Sequence, residues 1–245
     1  MRPPFRHARR AGLLAVLLLA ACAGAPERRG DAAPAAAAAA FPHAFYEHPP
    51  GEGRVYRVDA SRSELQVLVF RAGALARRGH NHLVRATAFE GAVFLATDVE
   101  ASRMDLQVPV RALEVDPEAQ RASAGAAFAA AVDADARAGT RGNLLGPRVL
   151  DAGAHPFIAA TARVAGGELP WLVLELTLTV RGHPHRSTVP VRVELDGEQL
   201  RARGMLALRH AELGLEPFTA LGGLLAVADP IILRFDLLAT ASPAP

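Results

Sequence analysis

Residues 171–197 read WLVLELTLTVRGHPHRSTVPVRVELDG. Leu172, Leu174, Leu176, Leu178 and Val180 alternate with Val173, Glu175, Thr177 and Thr179; Val189, Val191, Val193 and Leu195 then resume the period. A period of two sends alternate side chains to opposite faces, which suits a strand and not a helix. Arg181-Gly182 separates the two runs and Asp196-Gly197 ends the second, and both dipeptides signal tight turns. The stretch therefore predicts two long antiparallel strands and the turn into a third.

The same alternation extends outward from this hairpin. It recurs at Leu65, Val67 and Val69, at Met104, Leu106 and Val108, and at Ile231, Leu233, Phe235 and Leu237. Gly166-Gly167 predicts another turn. Residues 117–145 break the pattern: they are alanine-rich, with Phe128, Ala131 and Val132 at helical spacing. Asp116 as N-cap and Pro117 at the first helical position predict a helix start, with a break expected near Gly139 to Gly142. About eight strands in one meander with a helical insertion predict a mainly β fold, an antiparallel barrel or strongly curved sheet. Closure would remove the exposed edges.

The N-terminus has a different character. Arg2, Arg6, Arg9 and Arg10 precede the apolar run Leu13 to Leu19, which is much shorter than the roughly 20 residues that span a bilayer as a helix. Leu19-Ala20-Ala21-Cys22 follows and resembles the bacterial lipobox. That resemblance implies a signal peptide over 1–21 and lipidation of Cys22. Acyl chains would then anchor the protein without a transmembrane helix. Residues 22–50, with the alanine run Ala35 to Ala40 and Pro42, Pro49 and Pro50, read as a tether, and 51–242 as one domain. The expected location is the periplasmic face of a bacterial membrane; Ala23 after the cysteine favours the outer one.

Charge and composition exclude several classes. The chain has 27 basic residues, all arginine, and 25 acids. The four arginines before Cys22 account for the basic balance, leaving 23 against 25, so nothing suggests nucleic acid. A single cysteine rules out a disulfide framework or a thiolate zinc site within one chain. There is no G-x-S-x-G, no H-E-x-x-H and no P-loop, so no catalytic residue is assigned and the chain is read as a non-enzyme.

The motif order is informative. Tyr56-Arg57-Val58-Asp59 precedes Ser63-Glu64-Leu65-Gln66-Val67, then Phe89-Glu90-Gly91, Val149-Leu150-Asp151 and His155-Pro156-Phe157-Ile158. Leu178-Thr179-Val180-Arg181-Gly182, Leu213-Gly214-Leu215 and Ala228-Asp229-Pro230-Ile231 follow. Over roughly residues 54–240 this order resembles the YceI-like family. The resemblance implies a lipocalin-like antiparallel barrel with an apolar tunnel, and a bound isoprenoid lipid or quinone rather than a catalytic cofactor. The chain departs from the family pattern at Gly79-His80-Asn81-His82, at His183-Pro184-His185 and at small residues such as Ala160.

Alternation leaves two readings of the interior open, a filled core and a lined tunnel. Parity sends Leu65, Val67, Val69, Val93, Leu95, Met104, Leu106, Val108, Ile158, Leu174, Leu176, Leu178, Val189, Val191, Leu233 and Phe235 inward. These are the candidate ligand-binding residues. Arg78, His80, Asn81 and His82 are the polar candidates for a tunnel mouth. His80 with His82, and His183 with His185, place imidazoles at i and i+2 on one strand face, a spacing that suits one metal if the pairs meet. The alternatives to a chain-binding barrel are therefore a histidine-based metal or redox module and a closed structural or interaction barrel. The oligomeric state is not legible.

Overall fold

The computed structural model describes residues 40–242. Twelve strands are formed: β1 (Gly53–Val58), β2 (Glu64–Ala72), β3 (His82–Ala86), β4 (Glu90–Ala96), β5 (Arg103–Pro109), β6 (Leu113–Val115), β7 (Phe157–Glu168), β8 (Trp171–Val180), β9 (His183–Asp196), β10 (Gln199–Arg209), β11 (Thr219–Ala220) and β12 (Leu225–Ala241). All pairings are antiparallel, in the order β1-β4-β5-β7-β8-β9-β10-β12, and β12 returns to β1 through Tyr56↔Ala241 and Val58↔Ala239. The result is a closed eight-stranded barrel.

Three positions of the wall are each built from two short strands in line. The 17-residue β12 pairs with β1 near its C-terminus and with β2 over Ala226 to Asp236. Beyond β2, β3 and β6 continue the lines of β4 and β5. At the break between β1 and β2, the Asp59 carboxylate accepts the Ser61 amide, and Ser63 Oγ accepts the Leu238 amide at 2.9 Å. That hydroxyl supplies the partner a continuous strand would have given the buried amide.

Arg181-Gly182 and Asp196-Gly197 make hairpins as expected, with positive φ at Arg181, Gly182 and Gly197. The Gly166-Gly167 turn is not formed. Both glycines lie within β7 at a bulge, and the chain reverses at Leu169-Pro170. Gly167 has φ +92 and passes so close to the Trp171 carbonyl that a Cβ would sit 2.4 Å from it. The backbone approach, not a reversal, requires glycine here.

Two segments are fastened to the outside of this wall. Residues 22–50 were expected as a tether, and their part before residue 40 lies outside the described residues, with Cys22. From Phe41, however, the chain is packed. Phe41, just before the helix α1 (His43–Glu47), and Tyr46 within it pack on Ala92, Phe94 and Ala96, the outward residues of β4. The insertion forms α2 (Glu118–Ser123) and α3 (Ala134–Leu145). The break between them is at 124–133, not at Gly139 to Gly142, which α3 includes. Asp133 rather than a glycine sets the boundary, capping α3 through the Ala136 amide at 2.7 Å. Asp116 is not the N-cap of α2; Pro117 holds that place, and Asp116 is fully buried with φ +54. No helix among the described residues is long and apolar enough to cross a membrane.

Candidate functional site

The barrel interior is not filled. It holds an apolar cavity of about 260 Å³, and all sixteen residues that parity sends inward line it. Ten of them, Leu65, Val67, Val69, Val93, Leu95, Met104, Ile158, Leu174, Leu233 and Phe235, remain only half-buried although they point into the barrel. Eight strands enclose an interior that side chains can fill or a small ligand can occupy. Here valine, leucine and alanine (Ala160 and Ala162 among them) are too short to meet across it. Phe235 is the single aromatic residue in the lining apart from an imidazole.

The cavity has contributors that alternation did not reveal. Leu144 comes from the insertion, Val149 and Leu150 from the segment that follows it, and Leu213 and Leu215 from the loop after β10. Leu150, Leu213 and Leu215 are buried, so these segments close one end of the barrel. His210 also lines the cavity and is 8% exposed. It stands one further step along the Leu206, Leu208 alternation, so extending the period by two residues would have found it. Its Nδ1 lies 2.6 Å from the Asp229 carbonyl oxygen, and its amide donates to Asp229 Oδ1 at 3.0 Å. Arg209 donates to the other carboxylate oxygen at 2.9 Å, and this hydrogen bond is the main reason the Asp229 carboxyl is held below the ordinary carboxylate range.

The expected polar mouth is not there. None of Arg78, His80, Asn81 and His82 lines the cavity. Asn81 and His82 serve instead to clasp the insertion. His82 Nδ1 donates to Asp116 Oδ2 at 2.6 Å, and Arg121 donates to Asp116 Oδ1 at 2.5 Å. Arg121 also reaches the carbonyls of Asn81 and Ala130, and Asn81 donates to the Ala127 carbonyl at 2.9 Å. Arg78 is exposed. Burial by itself would push the Asp116 carboxyl up. Hydrogen bonds from His82, the Leu83 amide and Arg121, with the charge of His82, outweigh it and hold that carboxyl below its usual range. The paired carboxylate, not a ligand, is what these side chains recognise.

Nor do the two H-x-H motifs combine. His82 is engaged by Asp116, and His183 packs against Gly214, where a Cβ would fall 2.9 Å from its ring. His185 lies opposite Leu178 on β8. Among the described residues no group of three or more His, Cys, Asp or Glu side chains is placed to hold a metal. The four-imidazole site that the spacing would have allowed is not formed, because His82 and His183 are already packed into different neighbours.

No protein-family model matches the chain, and no curated protein does. Among solved structures, Burkholderia cenocepacia BcnA matches 75% of this chain and 99% of its own, with a TM-score of 0.56 and 15% identity. A mutant of the Campylobacter jejuni YceI protein, solved with a monobromobimane guest, matches 66% of this chain and 85% of its own at a TM-score of 0.48 and 9% identity. The chain shares the barrel fold of BcnA.

Proposed function

We propose that this chain is a non-catalytic, YceI-like binding protein that carries an apolar or amphiphilic chain, isoprenoid-like, inside its barrel. The observation that carries the reading is the cavity of about 260 Å³ with a nearly continuous aliphatic wall. Each CH₂ moved from water into such a wall contributes about 0.8 kcal/mol, so a chain of several isoprene units needs few polar contacts. The lipobox-like Leu19 to Cys22 supports export and tethering, through lipidated Cys22, to the periplasmic face of a membrane, the outer one favoured. A tethered barrel would shield its guest from water close to the membrane that supplies it.

Native mass spectrometry of the protein, purified without detergent and compared with its denatured mass, tests the reading. An additional mass of several hundred daltons that extracts into organic solvent is the expected result. Equal masses, together with failure to take up farnesol, would overturn it in favour of a closed structural barrel. An additional mass of one metal ion would instead revive a metal-binding module.

A further inference from the structure

We propose that His210 is the polar contact of this cavity: its Nε2 accepts a hydrogen bond from a hydroxyl on the bound chain. The ligand class is then a hydroxyl-bearing apolar chain, not a plain hydrocarbon. The inference rests on the reading of the cavity as a binding site.

The ring is fixed and its tautomer follows from its partner. Nδ1 is 2.6 Å from the Asp229 carbonyl oxygen. A carbonyl can only accept, so Nδ1 carries the proton and donates. In the neutral ring Nε2 is then a bare acceptor, directed away from Asp229. Among the described residues no group donates to it, although the residue is 8% exposed and forms part of the cavity wall. A guest that enters this otherwise aliphatic space can bring the donor that such an acceptor suits.

The other polar residues of the lining do not compete. Ser102, Arg103 and Arg163 lie at the opposite end of the barrel, around the start of β5 and the end of β7. Ser102 Oγ accepts the Ala96 amide, and Arg103 is bonded to Asp105 on the outer face. Leu208, Leu213, Leu215 and Ile231 share the His210 end and offer no hydrogen-bonding side chain. A guest with one hydroxyl is therefore oriented, its head at His210 and its tail toward β5. Asp229 acts as a positioning residue, holding both the backbone and the ring of His210.

The test is displacement of the apolar fluorophore N-phenyl-1-naphthylamine from the full chain by farnesol and by farnesyl methyl ether. The two probes share a chain, but the ether lacks a donor. The wild-type protein is expected to prefer farnesol about tenfold, the worth of one hydrogen bond in a site closed to water. His210→Leu should bind the ether as before and lose the preference, and His210→Gln, which restores an acceptor, should recover part of it. Equal affinity of the wild-type protein for both probes, or a preference that survives in His210→Leu, overturns the proposal while leaving the cavity reading intact. If neither probe nor fluorophore binds the wild-type protein, the cavity reading fails and this proposal with it. Should His210→Leu not fold, the wild-type comparison of the two probes and the Gln variant still decide.

Discussion

Strands β2 and β4 are covered more fully on their outer face than on their inner one. On β2 the outward Gln66 and Leu68 are buried, while the inward Leu65, Val67 and Val69 are half-buried. On β4 the outward Ala92 and Phe94 are completely buried, while Val93 and Leu95 are not. The outer cover comes from the two appended segments, Phe128 of the insertion over Leu68 and Leu83, and Phe41 and Tyr46 over Phe94. An ordinary barrel concentrates close packing inside. On these two strands tight packing lies outside and space is kept within, while the inner faces of β8 and β9 carry much of the buried core.

Truncation should expose this inversion most strongly at the outer aromatics. Phe94→Ala or Phe128→Ala is expected to cost about 3–5 kcal/mol in denaturant unfolding, as a large core deletion does. Leu65→Ala, on the inner face, should cost less than about 2 kcal/mol, because it enlarges a space that already exists instead of opening a new one. Equal costs on the two faces would break the comparison.

The next effect concerns the buried clasp of the insertion. Asp116→Ala leaves Arg121 buried without its partner and should cost about 3 kcal/mol or more. The wild-type contribution has a pH sign. Because the folded carboxyl is held below its ordinary value, the stabilisation is complete above the unfolded value near pH 3.9 and disappears as pH falls through the folded one. Acid titration of the unfolding free energy should therefore be shallower below about pH 4 in Asp116→Asn than in the wild-type chain.

Tyr46→Phe sharpens the comparison at the other appended segment. The Tyr46 hydroxyl donates to the buried Asp105 carboxylate at 2.8 Å, and Asp105 also receives Arg103 and Thr161. Burial is the first cause, and the hydrogen bond to Asp105 the second, of a hydroxyl pKa well above the normal tyrosine range. Since Arg103 and Thr161 remain, the loss should be only about 1.5 kcal/mol, measured as a shift in the urea midpoint. The smallest effect on stability is expected from Val67→Trp, which fills inner space: little change in the unfolding midpoint, but loss of farnesol uptake in the displacement assay.

Much of this was legible along the chain. Alternation identified β2, β5, β8, β9 and β12, and parity the sixteen inward residues, because a pleat enforces side-chain parity whatever the partner strand. Tight turns at Arg181-Gly182 and Asp196-Gly197 were equally local. The polar candidates were not, because a side chain's role depends on which partner reaches it first. His82 and Asn81 looked like a mouth, and Asp116 like a cap, until the insertion folded back and joined them. His210 carried the same inward parity as Leu206 and Leu208, so its facing was legible, but its bond to Asp229 depends on the pairing of β10 with β12.

The sequence by itself determined the period of two, the mainly β character and which side chains face inward, since these follow from backbone geometry and neighbouring residues. Only the tertiary structure decided that the interior is open, that α1 and the insertion cover parts of the outer face, and that the His210 imidazole, held through Nδ1 by the Asp229 carbonyl, stands in the cavity wall among aliphatic side chains. Those are differences in volume and in long-range pairing, set when β12 closes on β1, and no local pattern encodes them.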